Sequence, residues 1–296
     1  MNKFTIMTDS CCDLPIDFIE RNNIPFVSLT CNFNEKEYYD DFGKSLSSED
    51  FFNKIRQGEI PKTSQPSSQI IYEKFKELAL FGNDIIYICV SSGLSGTLNS
   101  ANIAKSAIGE EFPNTKIYIV DILTSSLGQG LMVIKAEEMR KNGASFEEII
   151  DYLENIKQYL NTYITVDDLS FLKNGGRISS TAAILGTVLH IKPILTLNHE
   201  GRVIPVLKVK GRKKSINTLA DIVKERIENP ENETISICHG DCLDGALSLK
   251  NAILEKVKIK DVLINNIGPV VGSYSGPNAL AVFFIGKHRQ HHMIKN

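Results

Sequence analysis

At 296 residues, with 42% hydrophobic and 23% charged side chains, the chain has the make-up of a soluble globular protein long enough for two domains of moderate size. No apolar run approaches the roughly eighteen residues of a membrane span, and a net charge of −2 is far from the strongly basic balance of a nucleic-acid binder. The six cysteines follow no framework spacing and two are adjacent, which excludes a disulfide scaffold and predicts reduced thiols.

The start passes directly into a strand pattern over residues 4–7 with no signal-peptide core, so a cytoplasmic location is expected. Thr8-Asp9-Ser10 follows as a hydroxyl-bearing strand end, and Asp13 is expected to N-cap a helix through Phe18 and Ile19. Residues 25–33 alternate apolar and polar and then, after Asn34-Glu35, lead to Tyr38-Tyr39, the pattern of a hairpin at a sheet edge. Ser47 with Asp50 forms a capping-box pattern ahead of Phe51, Phe52 and Ile55. The stretch Pro61-Lys62-Thr63-Ser64-Gln65-Pro66-Ser67-Ser68 is a second hydroxyl-dense turn, opening a helix through Tyr72, Phe75 and Leu78.

Residues 85–90 are an apolar, partly β-branched run suited to a strand covered on both faces. Ser91-Ser92-Gly93-Leu94-Ser95-Gly96-Thr97 then enters a helix marked by Leu98, Ala101, Ala104, Ala107 and Ile108. Hydroxyls and glycines beside the unpaired N–H groups and positive end of a helix suit an anion, a carboxylate or a phosphate. One such turn is common in α/β proteins and binds nothing. Three of them, after Met7, before Gln69 and after Val90, can converge at one edge of a parallel sheet. Residues 116–120 form the next strand, 127–141 a helix and 145–160 another, with Ser145 and Glu148 as a capping box. This alternation implies right-handed βαβ units and a mainly parallel, Rossmann-like sheet over residues 1–160.

From Thr162 onward, shorter strands and Gly-rich connections predict a second α/β domain with a mixed sheet, residues 161–296. Within it, Asp167 to Ser179 contains a short helix, a glycine C-cap and then a presented Arg177. Residues 192–197 and 202–209 form a hairpin about His199-Glu200-Gly201, and Gly211 opens a helix toward Ile227. A strand over 234–238, the turn His239-Gly240-Asp241 and a helix over 246–257 follow. Residues 266–277, rich in Gly and Pro, predict unusual turns with close backbone approach before a final strand over 279–285. Cys238, His239 and Cys242 lack a second pair of metal ligands, and His288, His291 and His292 belong to a solvated tail, so no metal is expected. The last third holds 15 Lys and Arg against 9 Asp and Glu, spread over helix faces rather than clustered.

With Thr8-Asp9-Ser10, Thr63-Ser64-Gln65-Pro66, Ser91 to Thr97, Gly175-Gly176-Arg177-Ile178-Ser179 and Gly268-Pro269-Val270-Val271-Gly272-Ser273 in this order, the chain resembles the DegV family over residues 3–287. The resemblance implies a bacterial fatty-acid-binding protein of two α/β domains, a carrier rather than an enzyme. It further implies one long-chain fatty acid such as palmitate in a tunnel between or beside the domains, with no cofactor. The acid's carboxylate is expected on the hydroxyls of Thr63 and Ser95, with Ser64, Thr97, Ser10 and Tyr274 completing the set. In some members the carrier is a subunit of a fatty acid kinase, which converts the presented carboxylate to an acyl phosphate; Arg177 inherits the place of an arginine near the exchanging head group. Transient contact with a membrane surface fits such a carrier, and nucleic acid does not. Two positions depart from the family pattern: Tyr274 stands where many members carry His, and Asn278 where they carry Gly.

A serine hydrolase is the alternative, with Ser95 as nucleophile and His190, His239, Asp121 and Asp241 available. Its nucleophile elbow would need Gly at 97, where Thr97 stands. A nucleotide site lacks both the P-loop lysine and the glycine spacing of a dinucleotide fingerprint.

Overall fold

A computed structural model of the chain describes residues 3–178 and 191–289, so Ser179, His190, His291 and His292 lie outside the described residues. The first half runs β1 (Lys3–Asp9), α1 (Ile16–Arg21), β2 (Phe26–Val27), β3 (Thr30–Phe33), β4 (Lys36–Tyr39), α2 (Ser48–Arg56) and β5 (Lys62–Ser64). It continues with α3 (Ser68–Leu80), β6 (Asn83–Cys89), α4 (Thr97–Glu111), β7 (Ile117–Asp121), α5 (Leu127–Lys141) and α6 (Phe146–Ile156). The second half runs β8 (Leu160–Thr165), α7 (Ser170–Asn174), β9 (Ile191–Leu197), β10 (Val203–Lys210) and α8 (Arg212–Arg226). It closes with β11 (Thr234–His239), α9 (Leu243–Leu254), β12 (Asp261–Asn266), α10 (Pro269–Ser275) and β13 (Leu280–Ile285).

Strand–helix alternation produces a parallel sheet of order β2-β1-β6-β7, in which β6 is buried at every position. The second sheet is mixed, of order β10-β9-β8-β13-β11-β12, with only β11 and β12 parallel. The fold is therefore α/β with a parallel N-terminal and a mixed C-terminal sheet. Between the two lies α5, packed on β1 and β6 and also on β8, β11 and β13. Its first seven residues, Leu-Gly-Gln-Gly-Leu-Met-Val, are all buried, as a helix covered on two sides requires. Gly128 makes that approach possible, since a Cβ there would lie 2.6 Å from the Phe283 ring. One continuous core thus runs from Ile6 and Ile86 through Leu131 to Leu195 and Phe283. Among the described residues no helix is long and apolar enough to cross a membrane.

Several local expectations are corrected. Residues 25–33 divide: Phe26–Val27 joins the parallel sheet, whereas β3 and β4 form a hairpin through Asn34 and Glu35, both at positive φ, in a separate antiparallel sheet of order β4-β3-β5. Thr63 therefore stands on a strand, not in a turn, and α3 takes its N-cap from Ser67. Asp13 N-caps no helix; it is buried at φ 48° as the C-cap of the single turn Ser10–Cys12, and α1 begins behind Pro15 without a side-chain cap. Ser145 and Glu148 do close a capping box, but that helix stops at Ile156 and Leu160 already belongs to β8. The expected glycine C-cap of α7 is Gly175, and Gly176 follows it at φ 69°. The glycine- and proline-rich residues 266–277 contain the helix α10, because Pro269 sits at its first turn, where no N–H is missed, and Gly276 at φ 70° ends it.

Candidate functional site

A cavity enclosing about 1050 Å³ of empty space, its open mouth included, lies where the ends of β1 and β6 meet the mixed sheet and α10. Val90, Val166, Leu172, Leu197, Val203, Ile267 and Phe283 make its wall largely apolar. The thiols of Cys11 and Cys238 also line it, and burial pushes both up, so they stay neutral and add to that apolar wall. The lining contains a single charged side chain among the described residues, Arg177.

Thr63, Ser95, Arg177 and Tyr274 gather at the wall although they come from β5, the turn before α4, the segment after α7 and α10. The hydroxyls of Thr63 and Tyr274 are 2.5 Å apart and hydrogen-bonded. Ser95 Oγ is 2.9 Å from Thr97 Oγ1 and also accepts the Thr97 N–H at 3.3 Å. Either hydroxyl can donate within that pair; with Thr97 Oγ1 as the donor, the Ser95 proton is left for the cavity. Arg177 is held by donation from Nε to the Leu94 carbonyl at 3.0 Å and from one terminal nitrogen to the Gly175 carbonyl at 2.5 Å. Its guanidinium carbon lies 4.4 Å from the centre of the Tyr274 ring, a cation–π stack. Gly175 is what lets the ring in, because a Cβ there would come within 2.3 Å of it.

Three other residues expected at the site are placed elsewhere. Strand alternation turns Ser64 away to solvent, opposite Thr30, as it turns Thr63 inward. Thr97 is buried behind Ser95 and supports it. Ser10 is fully buried and accepts the Leu29 N–H at 3.0 Å, so it braces a lining residue without facing the cavity. Five polar lining residues escaped the sequence reading: Ser125, Ser126 and Thr162, besides the two that follow. Gln65, exposed at the mouth, donates to Ser100 Oγ and packs so close to Gly96 that a Cβ there would meet it at 2.2 Å. Its place in the Thr-Ser-Gln-Pro motif was the available signal. Ser275, the other, carried none.

Three buried carboxylates frame the cavity without facing a cation. Asp9 accepts the N–H groups of Cys11 and Val90, tying the ends of β1 and β6 together, and burial pushes it up to about 6. Asp13 accepts the Ser126 hydroxyl and the Gly268 N–H, and burial pushes it up to about 7. Asp40 accepts the Val270 N–H, and burial pushes it well above the carboxylate range, with Asp13 adding repulsion. Asp13 and Asp40 thereby hold the start of α10.

His190 lies outside the described residues, and the other groups of the hydrolase alternative are occupied apart from Ser95. Asp121 binds Ser92, Asp241 pairs with Arg56 at 2.5 Å, and His239 Nδ1 accepts the Cys242 N–H. Among the described residues no three His, Cys, Asp or Glu side chains gather to hold a metal. An apolar cavity with one cation and paired hydroxyls at its wall suits an amphiphile with a single anionic end.

Known proteins match the chain in sequence and in fold. The family described as "Uncharacterised protein, DegV family" matches residues 3–287. A DegV domain-containing protein of Clostridium perfringens is 44% identical over 290 residues, covering 98% of this chain and 100% of its own. The structure of a DegV family protein from Thermus thermophilus, described for its fatty acid binding, superposes with a TM-score of 0.87 at 31% identity over 97% of this chain and 100% of that one. DegV from Bacillus subtilis, described as a fatty acid binding protein, gives a TM-score of 0.84 at 29% identity, with 97% and 100% covered.

Proposed function

The chain belongs to the DegV family, and on that premise we propose that it binds one long-chain fatty acid in the cavity, as a cytoplasmic carrier rather than an enzyme. The observation that carries this reading is the lining: among the described residues it is apolar except for hydroxyls, the Gln65 amide and one charged side chain, Arg177. Thr63 and Ser95, from residues 1–160, and Arg177 and Tyr274, from residues 161–296, receive the carboxylate. The acyl chain runs along the apolar wall, where burial at ~0.8 kcal/mol per methylene gives roughly 10 kcal/mol gross for a sixteen-carbon acid before ordering costs.

The exposed Gln65 marks the open end at these same residues. The carboxylate would therefore be the part offered to a partner, and a separate fatty acid kinase making an acyl phosphate is the partner this reading favours. A guanidinium recognises a phosphate bidentately, which suits Arg177 to that exchange as well. Loading and unloading would involve transient contact with a membrane surface.

Mass spectrometry of purified, denatured protein, followed by titration of the lipid-stripped chain with saturated and monounsaturated long-chain acids, tests the proposal. Saturable binding of one acid per chain is expected; its absence would sink the reading.

A further inference from the structure

Most hydroxyls of the cavity wall are already used by the protein. Thr63 is bonded to Tyr274, Ser95 to Thr97, Thr162 to Thr124 at 3.1 Å, and Ser126 to Asp13. Ser275 differs. The residue lines the cavity and is only 9% exposed, yet its hydroxyl oxygen, shut off from solvent, has no hydrogen-bond partner. It does not even return to the carbonyl of Val271, the usual resort of a serine in a helix. Folded proteins pair more than about 90% of their buried polar groups; this hydroxyl is turned away from the cavity that its residue lines, and because it has no hydrogen bond to lose, rotation toward the cavity would let a ligand there satisfy it.

Position narrows what that partner is. Ser275 ends α10, one residue beyond Tyr274, and the next residue, Gly276, lies so close to the Phe171 ring of α7 that a Cβ there would approach it to 2.5 Å. The segment after α7 carries Arg177. Ser275 therefore stands at the end of α10 that holds the Thr63–Tyr274 pair and Arg177, the one cation among the described lining residues, away from the Gly268 end. Resting on the fatty-acid reading above, we propose that Ser275 is a further ligand-binding residue, donating its hydroxyl to the bound carboxylate alongside Thr63 and Ser95. A serine hydroxyl swings between staggered positions about one bond, so it can meet the ligand without movement of the helix.

The test compares lipid-stripped parent, Ser275→Ala and Ser275→Thr in titrations with hexadecanoic acid and with hexadecanol, which has the same chain and no carboxylate, each variant first checked by thermal unfolding. A hydrogen bond to a charged group predicts that Ser275→Ala loses about ten-fold in acid affinity and less than about two-fold for the alcohol, while Ser275→Thr, keeping the hydroxyl, stays near the parent. Equal losses for acid and alcohol, or a Ser275→Ala that binds acid as the parent does, overturn the assignment of Ser275 alone. A parent that binds no acid overturns the fatty-acid reading and this assignment with it.

Discussion

Thr63 and Tyr274, 211 residues apart in the chain, share a hydrogen bond between hydroxyls at 2.5 Å. Of the two protons one is spent within the pair, leaving the other for a ligand. A threonine on an edge strand and a tyrosine on a short helix thus act as one donor.

Breaking that pair from either side should have the same sign. Thr63→Val leaves Tyr274 without its partner and Tyr274→Phe leaves Thr63 without its own, and each is expected to weaken acid binding about ten-fold. Isothermal titration of both single variants and the double variant checks it: a shared donor predicts that the double variant loses much less than the product of the two. Tyr274→His introduces the imidazole that the family resemblance places there and, on the kinase reading proposed above, should keep acid binding while raising kinase-coupled turnover, since imidazole carries charge near neutral pH and phenol does not.

Ser95→Ala removes the hydroxyl that Thr97 orients. Acid affinity should fall about ten-fold with little change in melting temperature, because the lost bond faces the cavity. Thr97→Val should show a smaller loss in affinity together with a lower melting temperature, as the side chain is fully buried.

Arg177→Gln deletes the only charge among the described lining residues. The acid should lose roughly ten- to a hundred-fold in affinity, and the corresponding alcohol far less, as expected for a charge-assisted contact of about 1.5–3 kcal/mol. Equal effects on both ligands would show that the stack on Tyr274 matters and the charge does not.

Gly175→Ala tests the packing of that stack. Gly175 has an ordinary φ of −78°, so alanine strains no backbone there; its methyl would instead displace the Tyr274 ring, which approaches to 2.3 Å. The expected result is a drop in acid affinity like that of Tyr274→Phe. Parental binding by this variant would mean that the ring relocates freely.

Asp13 predicts a pH dependence of stability. Its carboxyl is raised from 3.8 to about 7 in the folded protein, so the folded state binds the proton more tightly than the unfolded chain. Stability from this group is complete below about pH 4 and is lost as pH rises through about 7, a difference of roughly 4 kcal/mol as an upper bound. Asp9, raised to about 6, acts in the same direction. The exposed Glu147 and Glu148, whose carboxyls are lowered by Lys116 and by Ser145, act in the opposite one. Thermal unfolding of parent and Asp13→Asn between pH 5 and 8 reads this contribution together with the repulsion between Asp13 and Asp40: the parent should lose stability relative to the variant as pH rises. A constant difference would remove Asp13 from the account.

Local patterns in the chain were enough for much of the architecture. The apolar run of β6, the helical spacing in α4, the capping box of Ser145 with Glu148 and the hairpin through Asn34-Glu35 are short-range features, each decided by residues within a few positions of one another. The motifs that suggested the family also contain Thr63, Ser95, Arg177 and Gln65, all of which line the cavity.

What the chain alone left open depends on register and packing. Ser64 was expected at the site beside Thr63, but pairing of β5 with β3 sends adjacent side chains to opposite faces, a choice invisible until the partner strand is known. Asp13 looks like an N-cap from its neighbours, yet tertiary structure spends its carboxylate on Ser126 and Gly268, 113 and 255 residues away. Ser275 is an ordinary serine in a glycine-rich segment; only folding α10 against the cavity leaves its hydroxyl buried and unpartnered. Sequence by itself determined the elements and the chemical types available, because propensity, capping and periodicity act over one or two turns. Tertiary structure alone decided which hydroxyls face the ligand, because that depends on sheet register and on the way a helix meets residues two hundred positions away.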